Sequence, residues 1–115
     1  MATLTLGQKQ RKFTLMVAKL IEWIYANGYE ASFAEAYRPP ETAALYAKQG
    51  KGVANSLHTS RLAVDLNLFK DGVYLTKSEQ YRGPGEYWES LGGSWGGRFR
   101  SPDGNHFSLE HNGVR

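Results

Sequence analysis

Apolar residues Phe13, Val17, Leu20, Ile21 and Ile24 recur at three- and four-residue intervals, with Lys12, Lys19 and Glu22 between them. That spacing lays one apolar stripe along a helix, and Asn27-Gly28 is a good stop for it. Residues 29–37, with Phe33, Ala34 and Ala36, predict a strand that Pro39-Pro40 punctuates. A short helix is expected over residues 41–49, ended by Gly50, and a polar, Gly-containing loop over residues 51–60. The next stretch alternates strongly: Val64, Leu66 and Leu68 share one face of a strand, while Ala63, Asp65, Asn67 and Phe69 share the other. Asp71-Gly72 signals a hairpin turn, with residues 73–75 as the return strand. Between residues 78 and 91, Pro84 and two glycines interrupt the pattern, but Tyr87, Trp88 and Leu91 predict a short helix. Gly92-Gly93 and Gly96-Gly97 flank Trp95 in what reads as a flexible loop, and residues 106–111 predict a last strand. Helices and mostly antiparallel strands alternate irregularly, so the predicted class is α+β, with a small antiparallel sheet packed against an N-terminal helix and short helices.

Composition narrows the chemistry. A length of 115 residues fits one domain spanning residues 1–115, without a separate wall-binding domain. The absence of cysteine excludes a disulfide framework and any thiolate metal site, so a metal must be held by three histidines and the carboxylates. The net charge of +3 favours an anionic polymer as partner, although the basic residues form no run and serve solubility equally well. Lys9, Arg11 and Lys12 precede an apolar stretch, but Lys19 and Glu22 interrupt it and no small-residue cleavage site follows. The expectation is a protein made in the cytoplasm without a signal peptide, with no membrane span.

Two stretches carry candidate chemistry. In the first, His58 ends the polar loop and Asp65 interrupts an otherwise apolar strand, where an unpaired carboxylate is costly to bury. A histidine and an aspartate make a reasonable half of a zinc site, although by spacing alone a lone histidine is more often a surface or hydrogen-bonding residue. In the second, Asp103-Gly104-Asn105-His106 sets a carboxylate three residues before a third imidazole. Two histidines and one aspartate leave a position open on a tetrahedral zinc, as a catalytic site requires. Asp103, not itself a ligand, is the natural proton acceptor, but turn chemistry in Ser101-Pro102-Asp103-Gly104 explains the residue equally well. By strand alternation His111 points away from His106 and is left out. Trp95, among glycines, is a candidate lid or substrate contact.

The string Ser56-x-His58 followed by Ala63-Val64-Asp65-Leu66 resembles the Ser-x-His-x-x-Gly-x-Ala-x-Asp motif of the VanY-like D-Ala-D-Ala carboxypeptidase superfamily. Asp103-x-x-His106-Phe107 resembles its second motif, and Tyr37-Arg38-Pro39 its upstream arginine segment. The likeness runs from about Tyr37 to Leu109 and looks most like the phage endolysin branch, L-alanyl-D-glutamate endopeptidases of peptidoglycan stem peptides. It implies the hedgehog/D-Ala-D-Ala peptidase-like α+β fold, with zinc on the sheet. His58, Asp65 and His106 are then the zinc ligands, Asp103 the general base and Arg38 the stabiliser of charge on the substrate carbonyl oxygen. Ser56 helps to orient the substrate or a ligand. Two departures stand out: Arg61 occupies the motif's glycine position, and the family's frequent glutamine after the arginine is missing.

The expected function is thus a monomeric zinc endopeptidase that acts on the cell wall after release from the host cytoplasm, with peptidoglycan peptide and not nucleic acid as its substrate. A D-Ala-D-Ala carboxypeptidase or dipeptidase would use the same metal site but would need an extra cation for the free carboxylate. A nucleic-acid-binding domain, or a zinc-containing module without catalysis, are the readings from other classes.

Overall fold

The computed structural model describes residues 3–51 and 56–115. Helix α1 spans Leu6–Ala26 and opens with Thr5, whose side chain accepts from the Gln8 amide while Gln8 reaches back to the Thr5 amide. Its buried residues, Phe13, Met16, Leu20 and Ile24, follow the predicted helical interval. Strand β1 (Glu30–Glu35) and helix α2 (Pro40–Lys48) come next. Part of the loop expected at 51–60 falls on residues outside those described; within it, Leu57–Ser60 forms a turn of 3-10 helix. Strands β2 (Ala63–Lys70) and β3 (Val73–Tyr74) form the expected hairpin, and Asp71 and Gly72 at its turn both have positive φ (53° and 78°), the geometry for which Asp-Gly is suited.

After a 3-10 turn (Ser78–Tyr81) comes helix α3 (Arg82–Ser90), then strands β4 (Ser94–Trp95) and β5 (His106–Ser108). The last strand is shorter than predicted: beyond Ser108 the chain turns, and His111 bridges only to Val114. The sheet order is β1-β2-β5-β4, with β3 paired to β2, and every pairing is antiparallel. On one edge of β2 lies β1; on the other lie β5, opposite residues 63–65, and β3, opposite residues 69–70. Between them the Tyr81 hydroxyl accepts the Leu68 amide and donates to the Leu75 carbonyl, filling a break in the ladder.

The register decides which side chains share a face. Val64 pairs with Phe107, which pairs with Trp95, and this row joins Leu66 and Leu68 in a core with α1 and α3. Trp88 of α3 is fully buried there, edge-on to Phe13 and Phe107, and its indole N–H donates to the Ser108 carbonyl. Asp65 pairs with His106 on one side and Glu35 on the other, so these polar residues are carried on the opposite face.

Candidate metal centre

His58 reaches the centre from the 3-10 turn. Ser56 caps that turn, its hydroxyl accepting the His58 amide at 3.2 Å, so Ser56 orients a centre residue through the backbone. The turn ends at Arg61, whose φ of 57° and ψ of 37° are left-handed. This is the position where the motif has glycine, and a non-glycine residue there is strained by about 1–2 kcal/mol. The Arg61 guanidinium stacks 4.0 Å from the Tyr37 ring centroid, a contact that partly offsets the strain.

Strand β2 supplies Asp65, and β5 supplies His106 directly across from it. His58 Nε2 lies 3.4 Å from Asp65 Oδ1, and His106 Nδ1 lies 3.3 Å from the same oxygen. One ligand atom from each residue falls within 4.8 Å of the others. The other ring nitrogen of His58, Nδ1, donates to the Ala36 carbonyl at 2.8 Å, which turns the Nε2 lone pair toward Asp65. Asp65 Oδ1 is buried and has no hydrogen-bond partner. Three acceptors directed at one point repel one another unless a proton or a cation lies among them. The donor set, two imidazoles and a carboxylate with no thiolate, suits zinc.

The electrostatics follow from this crowding. Burial works to raise the Asp65 pKa, but the close approach of His106 and His58 outweighs it and holds the carboxyl at about 2. Burial likewise works to lower the His58 pKa, yet Asp65, the Ala36 carbonyl and Glu35 together raise it above 6.5. Asp103 moves up from the usual carboxylate value, chiefly through burial and then through the charge of Asp65, against the pull of His106 and His58.

A cleft of about 480 Å³ opens over the three residues and is also lined by Arg38, Ser56 and Asp103. Asp103 occupies the predicted turn, closed by the His106 amide donating to its carbonyl at 3.1 Å, and it also lines the cleft, so the turn and site readings coexist in one residue. Arg38 is largely buried, and its Nε and Nη2 both donate to Glu35 Oε1. Its backbone amide donates to the His58 carbonyl at 3.1 Å, while the His58 ring donates to Ala36, so the two segments clasp each other reciprocally.

Trp95 requires correction. It lies on the core face beside Phe107, 4% exposed, rather than on a mobile lid, and it is not among the residues lining this cleft. Its indole N–H donates to the Gly104 carbonyl at 2.7 Å, bracing the turn that presents Asp103 and His106. Of the flanking glycines, Gly97 reflects close packing: a Cβ there, like one on Gly85 of α3, would sit 2.2 Å from the Trp95 ring. Sequence reasoning missed Glu35, which anchors Arg38, and Lys51 and Arg115, which line the cleft. Only the three-residue interval from Glu35 to Arg38 hinted at the first, and nothing local marked the others. His111 contacts Lys9 at 3.2 Å and is not one of the three centre residues, but the strand ends at Ser108, so strand alternation is not what sets it apart.

Residues 49–109 match a family described as D-alanyl-D-alanine carboxypeptidase, more than half of the 115 residues and all three centre residues. The fold is similar to that of the Serratia marcescens L-Ala D-Glu endopeptidase ChiX, with a TM-score of 0.69 and 19% identity over 95% of this chain and 89% of that one. It is also similar to the vancomycin-resistance D,D-pentapeptidase VanY, an E175A mutant from a VanB-type cassette in complex with Zn(II), with a TM-score of 0.60 and 21% identity over 85% of this chain and 70% of that one. Among curated proteins none matches the chain.

Proposed function

The chain belongs to the D-alanyl-D-alanine carboxypeptidase family of metallopeptidases, and from that premise we propose that it is a zinc endopeptidase cutting peptidoglycan stem peptides at the L-alanyl–D-glutamate bond, as a phage endolysin does in host lysis. The observation that carries the reading is the convergence of His58, Asp65 and His106 on one point over an open cleft. The similarity of nearly the whole fold to an L-Ala D-Glu endopeptidase supports the choice of bond.

His58, Asp65 and His106 would hold the ion. When bound, zinc supplies Lewis acidity that polarises a carbonyl and lowers the pKa of water. Asp103 accepts the proton of the attacking water and returns it to the amide nitrogen as the carbon–nitrogen bond breaks. Its raised pKa makes it a better proton acceptor than an ordinary surface carboxylate. Arg38, held by Glu35, directs its remaining N–H groups toward the carbonyl oxygen as negative charge develops there.

Lys51 and Arg115 beside the cleft favour a second reading. They are cations of the kind that a carboxypeptidase needs to hold a free D-Ala carboxylate. Metal analysis of the purified protein, combined with mass spectrometry of digested peptidoglycan, separates the two. New L-alanine carboxyl and D-glutamate amino ends support the endopeptidase, released D-alanine supports the carboxypeptidase, and protein that takes up no zinc overturns both.

A further inference from the structure

The proton acceptor and the metal ligand nearest to it in the chain are placed by different means. His106 belongs to β5 and is set across from Asp65 by the strand register. Asp103 lies outside any strand or helix, in the turn before β5, so the direction of its carboxylate depends on the two peptides that flank its Cα. Both are held. The Asp103 amide donates to the Gly96 carbonyl at 2.9 Å. On the following peptide, the Asp103 carbonyl accepts the His106 amide at 3.1 Å, and the Gly104 amide donates to Ser78 Oγ at 2.9 Å. Fixed peptides on either side leave Asp103 only its side-chain rotations.

Two of these three bonds join backbone to backbone and do not depend on which side chains are present. The third depends on one hydroxyl, 26 residues away in the chain. Ser78 opens the 3-10 turn Ser78–Tyr81, and the other end of that turn is moored in the sheet by the two hydrogen bonds of the Tyr81 hydroxyl. Ser78 thus projects from a fixed support. Gly104 is buried against it: a Cβ there would come within 2.5 Å of the Ser78 Cα, so backbone meets backbone. Ser78 is not among the residues lining the metal cleft, so what it does for the chemistry it does through the turn.

We infer that Ser78 is a positioning residue for proton transfer: its hydroxyl fixes the peptide between Asp103 and Gly104 and so aims the Asp103 carboxylate into the cleft. The inference rests on the reading of Asp103 as the base of a wall peptidase, and it holds for either scissile bond considered above. Without the hydroxyl, the Gly104 amide becomes a buried donor with no partner, and the turn shifts to find one. His106 stays in place because β5 holds it, and the metal stays with it; the carboxylate moves.

A double-mutant cycle tests it. Zinc-loaded unaltered protein, Ser78→Ala, Asp103→Asn and the double variant are compared on the wall peptide bond that the unaltered protein cuts, at a temperature where all are folded. Misplacing a catalytic group by about 1 Å costs about 10²-fold, so the smaller drift expected here should lower kcat roughly tenfold in Ser78→Ala, with KM and zinc content unchanged. In the Asp103→Asn background the same substitution should change kcat by less than about twofold, because the group it aims is gone. Equal losses in the two backgrounds, an unchanged kcat, or zinc lost along with the rate overturn the proposal. If Ser78→Ala does not fold, Ser78→Cys, of similar volume and a weaker acceptor, takes its place in the cycle. Hydrogen exchange at the Gly104 amide should quicken in the Ser78 variant, and unchanged exchange also overturns the proposal. If the unaltered protein cuts no wall peptide, the peptidase reading falls instead, and the exchange measurement alone decides whether Ser78 holds the turn.

Discussion

The two faces of strand β2 are built from alternate residues of one eight-residue segment and obey opposite rules. On one face Val64, Leu66 and Leu68 are almost wholly buried against helices α1 and α3, with apolar neighbours on every side. On the other, Asp65 has a buried oxygen without a hydrogen-bond partner, between two imidazoles. The first face is satisfied as it stands; the second is complete only with a cation or a proton at its centre. The contrast teaches that stability and chemistry are divided by the pleat, so each can be perturbed through a different residue.

The largest expected effect is on the polar face. Asp103→Asn should lower the hydrolysis rate by about 10²- to 10⁴-fold, the usual worth of a general base, with zinc content unchanged. Asp65→Ala should lose both metal and activity. Equal zinc loss in the two variants, by elemental analysis, would erase the distinction between ligand and base. On the apolar face, Leu66→Ala should cost about 2–5 kcal/mol of unfolding free energy in denaturant titration while the folded fraction still binds zinc. Loss of zinc from folded Leu66→Ala protein would show that the faces are coupled.

pH offers a finer test in the metal-free protein. Asp65 has its pKa lowered from 3.8 to about 2, so its contribution is present above pH 3.8 and is lost as pH falls toward 2; alone it amounts to about 2 kcal/mol. Asp103, shifted upward, opposes this: its contribution is present below pH 3.8 and fades as pH rises through its folded value. His58, raised above 6.5, stabilises below that pH and stops doing so as pH rises through its folded value. Thermal melts should therefore peak near pH 3.8 without metal, fall as Asp103 ionises, and fall again above pH 6.5. With zinc the maximum should move to higher pH, because the ligand imidazoles must be unprotonated. An unmoved maximum would argue against imidazole ligation. The smallest effect is expected at Arg61→Gly, which relieves the left-handed strain but loses the Tyr37 stack and loosens the unfolded chain, for a net change within about 1 kcal/mol.

Much of this division was legible in the sequence. The two-residue alternation from Val64 to Phe69 marked both faces of β2, and Asp65 stood out because a carboxylate has no cheap place in such a strand. The Asp71-Gly72 turn and the stripe of α1 were equally plain. Trp95 was misread because glycines on both sides signal freedom in a sequence, whereas here Gly97, together with the distant Gly85 of α3, is small so that an indole can pack on the backbone. Glu35 was hidden because only the β1–β2 register, a long-range pairing, sets it beside Asp65. The cleft cations were hidden likewise, Lys51 lying before the first motif and Arg115 after the last.

The reciprocal clasp between residues 36–38 and His58 has a mechanical consequence. β1 is an edge strand, the part of a sheet that ordinarily frays first. Here its outgoing end grips the imidazole by the ring and is gripped in turn through the Arg38 amide. An ion seated at the centre therefore acts as a rivet through three layers of chain, fastening the outermost strand to the innermost. Chelation should then do more than empty a pocket; it should let the margin of the sheet peel.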